Sequence, residues 1–203
     1  GTDRAGTASG RPTGRALNPG DEIEAISLLW GDDARDYDFG ELKPVSLEGR
    51  VHLSTPDGDC WDIDEDLLEP VAGAVVQLLD ANGQILAESV TDADGNYFFE
   101  NLEPGEYRVR EITPEGLIEA GAHAGEVAGE TRGIVNATGD IVDILLNSSE
   151  GGVNYDFCEH RPAVISGFVY DDIDNDGQRE PGEGPIAGVV VQLFDEDGKL
   201  VAE

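Results

Sequence analysis

The chain contains an internal repeat whose period limits the folds available to it. The sequence DYDFGELKPVSLEG at residues 36–49 returns as NYDFCEHRPAVISG at residues 154–167, an offset of 118 (154 minus 36). VAGAVVQLLD at residues 71–80 returns as IAGVVVQLFD at residues 186–195, an offset of 115 (186 minus 71), so the first copy carries three additional residues between these matches. A period near 118 residues is too long for a solenoid unit and indicates a tandem array of separate domains.

The repeat divides the chain into three parts. We expect residues 1–45 to be the C-terminal part of one repeat, residues 46–160 a complete repeat, and residues 161–203 the N-terminal part of a truncated third. The opening glycines are repeat material, since they return 119 residues later: Gly6, Gly10, Gly14 and Gly20. The chain begins without an initiating Met, and we expect it to be a piece of a longer protein.

Strand and turn signals dominate the complete repeat. Asn82-Gly83 separates two apolar runs and predicts a β-hairpin, because this pair suits the positive φ angles of tight turns. Beyond it, aromatic and branched residues alternate onto one face: Tyr97, Phe99, Tyr107 and Val109. We interpret the Gly- and Ala-rich stretch at 120–140 as loop, and no segment favours an amphipathic helix. About seven short strands favour an all-β, Ig-like antiparallel sandwich of two sheets.

The net charge is -32, from 44 acidic and 12 basic residues. Nucleic acid and anionic membrane surfaces would repel such a chain and are excluded as partners, whereas cations are natural ones. Adaptation to high salt is a second explanation, and charge alone does not separate the two. No segment approaches the 18 apolar residues that span a bilayer, so we expect no direct membrane insertion by this segment.

Residues 172–183, DIDNDGQREPGE, match every specified position of the calcium loop D-x-[DN]-x-[DN]-G-x5-E. Carboxylates at loop positions 1, 3 and 5, a main-chain carbonyl at position 7 and a terminal Glu can surround a hard cation with oxygen. The predicted Ca2+ ligands are Asp172, Asp174, Asp176, Gln178 and Glu183, with Glu180 as an additional candidate. The sequence on either side is typical of strands, so this loop joins strands and not helices. The alternative is an acidic surface turn.

The corresponding loop of the complete repeat is also acidic but does not keep the Gly at position 6. It offers a second, weaker set of candidate ligands: Asp57, Asp59, Asp62 and Asp64.

The two cysteines occur together in the complete repeat. Cys60 lies in its acidic loop and Cys158 near its last strand, whereas Gly40 occupies the position of Cys158 in the preceding repeat. We therefore predict a Cys60–Cys158 disulfide in an oxidising, extracellular setting, with free thiols as the alternative. In the chain-entropy model, closing a loop of this size adds roughly 4 to 5 kcal/mol of stability. The three histidines, His52, His123 and His160, lie in no catalytic motif, and we predict that the chain is not an enzyme.

Residues 91–111, TDADGNYFFENLEPGEYRVRE, resemble the B-type domains of the collagen-binding adhesin and of serine-aspartate repeat surface proteins. The opening GFVY and GVVV segments, with an acidic loop between them, resemble the SdrD B-like domain in particular. The resemblance implies a prealbumin-like (Cna B-type) β-sandwich, calcium in the acidic loop, and domains in series between a ligand-binding head and a cell-surface anchor.

Many B-type domains carry a Lys-to-Asn or Lys-to-Asp isopeptide bond beside a buried Glu. The resemblance places that Glu at Glu111 and makes Asn154 a candidate acceptor, but the first strand of the repeat has no Lys. We therefore predict no isopeptide bond and interpret Glu111 as an edge or partly buried, hydrogen-bonded carboxylate.

These observations together favour a structural function. We expect a stalk or spacer module of a secreted or cell-surface adhesin-like protein, with calcium and neighbouring repeats of the same chain as its partners. The alternative is an adhesion module that recognises an extracellular protein or glycan.

Overall fold

The computed structural model describes residues 1–55, 58–61 and 68–203, which form β-strands, turns and loops. These residues divide into two compact units, Gly1–Pro162 and Ala163–Glu203. In the described ranges, no helix is long and apolar enough to cross a membrane. The predicted all-β class is confirmed.

Five short strands form the first segment of the larger unit. They are β1 (Thr7–Ala8), β2 (Arg11–Pro12), β3 (Arg15–Leu17), β4 (Glu22–Glu24) and β5 (Ala34–Arg35). β1 lies between β2 and β5 in one small sheet, and β3 pairs with β4 in another.

The remainder of the larger unit is a sandwich of two sheets. Its strands are β6 (Val45–Leu53), β7 (Val75–Asp80), β8 (Ile85–Val90), β9 (Asn96–Leu102), β10 (Gly105–Ile112), β11 (Ile118–His123), β12 (Glu126–Val127), β13 (Glu130–Thr131), β14 (Ile134–Val135), β15 (Ile141–Leu146), β16 (Gly151–Val153) and β17 (Asp156–His160). One sheet has the order β14-β15-β10-β7-β8. The other has the order β11-β17-β6-β16-β12-β13, with β9 also paired to β6.

Alternating side chains from both sheets fill the space between them. Val76 and Leu78 on β7 and Val109 on β10 are fully buried, and Leu47 and Val51 on β6 pack from the opposite sheet. This alternation follows from the two-residue period of a strand, in which every second side chain points to one face. The core also contains a buried tyrosine, Tyr97, whose hydroxyl donates a hydrogen bond of 2.6 Å to the carbonyl oxygen of Tyr155.

Strand pairing in the first segment recurs in the sandwich. Thr7 pairs with Pro12 and Arg35, and the residues at the corresponding positions pair in the same way, Glu126 with Thr131 and Val153. Positive φ angles recur at the matching positions as well: Ser9 and Ala128, Gly10 and Gly129, Gly14 and Gly133, Ala25 and Asp143, Gly31 and Ser149, Asp36 and Asn154. The internal repeat is therefore visible in the backbone geometry as well as in the sequence.

The smaller unit contains the hairpin β18 (Leu193–Phe194) and β19 (Leu200–Ala202). Leu193 pairs with Ala202, as Leu78 pairs with Ala87 at the corresponding positions of the sandwich. Side chains that are buried in the sandwich have exposed counterparts here, for example Val191, which is 65% exposed at the position of the fully buried Val76.

The structure differs from the sequence-based expectation at two places, the 120–140 stretch and the Asn82-Gly83 turn. Residues 120–140 were predicted to be loop, but they contain β12, β13, β14 and part of β11. β12, β13 and β14 have two residues each and are too short to show a period in the sequence, and β11 and β12 also pair with the distant strands β17 and β16. The predicted hairpin forms between β7 and β8, but in its Asn82-Gly83 pair only Gly83 has a positive φ angle. The carboxylate of Asp80 orders that turn by accepting hydrogen bonds from the backbone N–H groups of Asn82 and Gln84.

Candidate metal centre

The acidic loop of the smaller unit is closed at its base by backbone contacts. Tyr170 forms a bridge with Pro185, and the N–H of Asp171 donates a 3.0 Å hydrogen bond to the carbonyl of Gly184. Between these ends the chain turns through Gly177, whose φ of 77° lies in the region that glycine adopts without steric cost. The closed base and the Gly turn together bring the loop's acidic side chains towards one another.

Three predicted ligands lie together in this loop. Asp172, Asp174 and Asp176 each offer a carboxylate oxygen, and these oxygens lie within 4.8 Å of one another. Asp172 also accepts hydrogen bonds from the N–H groups of Asp176 and Gly177, at 3.1 and 3.0 Å. In the described parts of the chain, no other group of three acidic, His or Cys side chains is so closely placed.

The fourth predicted carboxylate, Glu183, is 9% exposed and crosses the loop. One of its oxygens accepts a hydrogen bond from the N–H of Ile173 and the other from the N–H of Glu180, both at 3.0 Å. Gln178 donates from its side-chain amide to Asp176, and the side chain of Glu180 is exposed. Loop positions 1, 3 and 5 are thus brought together, whereas Glu183 at position 12 holds the loop's backbone and the side chains of Gln178 and Glu180 lie outside the group of three.

No positive side chain neutralises this cluster among the residues that the structure describes. The guanidinium of Arg179, the loop's own cation, lies 4.4 Å above the ring of Phe168. Partial burial and the nearby charges of Asp172 and Glu183 raise the pKa of Tyr170, as expected in a negative field. A concentrated set of oxygen donors without a paired cation has the chemistry that calcium requires.

The corresponding loop of the sandwich lies between His52 and Pro70, which form the same bridge. Asp57, Asp62 and Asp64 lie outside the described residues, so their role as ligands stays a prediction. Asp59 is described, and its side chain accepts a 3.0 Å hydrogen bond from the N–H of Trp61.

This second loop is held by a covalent bond. The predicted disulfide is present between Cys60 and Cys158, with Cα atoms 6.0 Å apart. Cys158 is fully buried on β17. Beside the bond, the ring of Trp61 lies between His52 and His123, with centroid distances of 5.4 and 5.5 Å. The disulfide therefore anchors a loop that corresponds to the acidic loop of the smaller unit.

Two carboxyl groups also meet inside the sandwich. Glu111 on β10 and Glu159 on β17 come from opposite sheets, and Glu159 is fully buried. One oxygen of Glu111 and both oxygens of Glu159 are buried without a hydrogen-bond donor. Burial, then the contact with Glu159, raises the pKa of Glu111 to about 9, and burial also raises the pKa of Glu159. The pair is therefore expected to share a proton.

The sequence identified Glu111 but not Glu159. Glu159 occupies an inward position on β17, two residues after the core residue Phe157. Strand alternation starting from Phe157 is the one signal that could have located it, but the polar neighbours of Glu159 obscure that pattern.

Two of the three histidines, His52 and His123, contact the ring of Trp61. His52 is buried, which lowers its pKa, whereas His123 is exposed. Nδ1 of His160 lies 2.6 Å from the hydroxyl of Ser54 in a separate contact.

Comparison with known sequences gives a family match and relatives. The profile described as SdrD B-like domain matches residues 57–158, which are 102 of the 203 residues. Serine-aspartate repeat-containing protein D of Staphylococcus aureus (strain Newman) is 29% identical over 180 residues, which cover 88% of this chain and 13% of that protein. Serine-aspartate repeat-containing protein F of Staphylococcus epidermidis (strain ATCC 12228 / FDA PCI 1200) is 29% identical over 172 residues, covering 84% of this chain and 10% of that protein.

Among solved structures, the minor pilin GBS52 of Streptococcus agalactiae is similar over 75% of this chain and 61% of that chain. The sequence identity is 16% and the TM-score is 0.37. The present chain spans only a small part of the length of its serine-aspartate repeat relatives.

Proposed function

Because this chain belongs to the SdrD B-like domain family, we propose that it is a stalk module of a cell-surface protein in which calcium stiffens a tandem array of repeats. Membership in this family makes the chain a structural repeat and not an enzyme. Serine-aspartate repeat proteins are among its relatives, and the disulfide suits an oxidising environment outside the cell. The alternative of a ligand-binding adhesion module stays a prediction.

The observation that carries the calcium proposal is the grouping of Asp172, Asp174 and Asp176 around Gly177 without a paired cation. Three carboxylates held this close repel one another, and a divalent ion removes that repulsion. Calcium bound here would therefore favour the closed loop over more open conformations, so that folding stability and stiffness depend on the ion. Asp172 lies ten residues beyond Pro162, where the first compact unit ends, so calcium would order a loop close to that boundary.

Calorimetric titration with calcium tests this proposal, with Asp174→Ala as the informative variant. Asp174 makes no hydrogen bond within the described chain, whereas Asp172 and Glu183 hold the loop's backbone, so removing Asp174 tests the ion site with least damage to the loop. We expect calcium binding by the wild type and at least a tenfold increase in Kd for Asp174→Ala. The matched control is Glu196→Ala, which removes an exposed carboxylate from the β18–β19 turn and should bind like the wild type.

Stability and shape complete the test. At about 100 times its Kd, calcium should add roughly 2.7 kcal/mol to the unfolding free energy of the segment that binds it. Small-angle X-ray scattering in calcium and in chelator measures particle length over the same range. A chelator that leaves the melting temperature and the particle length unchanged would refute the proposal.

A further inference from the structure

The first and last strands of the sandwich lie side by side. β6 pairs in parallel with β17, with Val51 opposite Phe157, His52 opposite Cys158 and Leu53 opposite Glu159. If repeats are joined in series, as the proposed function requires, tension enters this repeat at the start of β6 and leaves at the end of β17. Pulling the opposite ends of two parallel neighbours loads their hydrogen bonds along the strand axis, so that several bonds share the force.

The disulfide offers a shorter covalent path between the same two ends. Cys60 lies seven residues after the end of β6, and Cys158 lies on β17, two residues before its end. Force that passes along β6 to Cys60 can cross directly to Cys158 and leave at His160. Residues 61–157, which include every strand from β7 to β16, then lie outside the path of the force.

We propose that the Cys60–Cys158 bond is a clasp that carries tension past the body of the repeat, so that a stretched repeat lengthens by a small, fixed amount and re-forms quickly. This inference rests on the proposed stalk function. Cys60 lies in the loop that corresponds to the acidic loop of the next repeat. The same loop would therefore be stabilised by a disulfide in one repeat and by an ion in the next.

The connectivity fixes the lengths involved. With the bond intact, the extensible path runs from residue 45 to residue 60 and from residue 158 to residue 160, which is 17 residue steps and at most about 60 Å when fully extended. The disulfide keeps the 98 residue steps between the two cysteines out of the extensible path, so a chain without the disulfide should extend by about 350 Å more.

Single-molecule force spectroscopy on the full chain, held at its two ends, tests the proposal. The oxidised wild type is compared with the wild type refolded in reductant and with Cys60→Ala/Cys158→Ala. All arms are run in chelator, so a failure of the calcium proposal would leave this comparison unchanged. The segments outside residues 45–160 contribute equally to every arm, so the difference in final length isolates the clasp.

We expect the oxidised chain to end about 350 Å shorter than the other two and to recover its folded length at least ten times faster after release. Recovery is faster because only the short path has to be ordered again. Equal final lengths in the oxidised and reduced arms would overturn the proposal, since the bond would then be absent from the folded protein. Equal recovery rates would also overturn the proposal. They would mean that residues 61–157 unfold once β6 is pulled out of the sheet, even though the disulfide keeps them outside the path of the force. The reduced wild type provides the comparison even if the double variant does not fold.

Discussion

Replacing Glu111 with Gln should stabilise the sandwich at neutral pH, although it alters a residue at the core. Glu111 and Glu159 face each other from opposite sheets, and three of their four oxygens are buried without a donor. A carboxylate only accepts hydrogen bonds, so one of the two groups must hold a proton to donate to the other. The amide of Gln supplies that donor at every pH.

The magnitude follows from the raised pKa of Glu111. Its folded value of about 9 lies above the ordinary 4.5, because of burial first and the contact with Glu159 second. The folded state therefore holds one more proton than the unfolded state between pH 4.5 and 9. The contribution of this extra proton to folding stability is fully present below pH 4.5. It is lost as the pH rises towards 9, by up to 1.36 kcal/mol per pH unit. At pH 7 the wild type has lost about 3 kcal/mol of unfolding free energy at most. Because Glu111 is partly exposed, solvent weakens this effect, and we expect Glu111→Gln to raise the unfolding free energy by about 1–3 kcal/mol.

Urea unfolding of the wild type and Glu111→Gln at pH 5, 6, 7 and 8 measures this effect. The stability difference should grow with each pH step in favour of the variant. The control is Glu106→Gln, which removes the same charge from an exposed position on the same strand and should give a difference that is flat from pH 6 to 8. A Glu111→Gln difference that stays constant or shrinks as the pH rises would refute the shared proton.

Two further substitutions test other parts of the sandwich. Arg110 donates two hydrogen bonds, of 2.8 and 2.7 Å, to the nearly buried carboxylate of Asp140 and lowers its pKa, so Arg110→Ala should cost about 1.5–3 kcal/mol in urea unfolding at pH 7. That cost should vanish as the pH falls through the lowered pKa, since protonation removes the charge; an equal loss at pH 7 and at acid pH would contradict an electrostatic origin. A Cβ on Gly49 would overlap the carbonyl oxygen of Tyr155, so Gly49→Ala should lower the unfolding free energy by about 1–3 kcal/mol. Gly167→Ala, at the corresponding position of the next repeat, meets nothing within 4 Å and is the matched control; equal effects of the two substitutions would show that the loss of glycine itself, and not the overlap with Tyr155, determines the cost.

Local signals were the most informative part of the sequence. The β7–β8 hairpin depends on a turn between adjacent strands, and the acidic loop depends on spacing within twelve residues, so both can be recognised without knowledge of distant contacts. The disulfide was predicted from a different kind of signal, since both cysteines are absent from the matching positions of the other repeats.

Non-local features were harder to predict. β12 has only two residues, and besides its local pairing with β13 it pairs with β16 across 24 residues or more, which no local pattern reveals. Glu159 is buried because β17 pairs in parallel with β6 and directs alternate side chains inward. A polar residue at such a position resembles a surface residue in sequence, and only the register of the sheet shows otherwise.

The matching registers of β1 and β12 have a consequence for how the protein can change over generations. A chain that passed directly from Ala8 to Ala128 would place Thr7 opposite Thr131 and Val153, where Glu126 now lies, so the strand at the junction would keep its two partners in register. Recombination between the corresponding gene segments would therefore remove or add one whole repeat while leaving no misaligned strand at the junction. If the repeats are joined in series, as the proposed function requires, the length of the protein can change in steps of about 118 residues without any new fold having to arise.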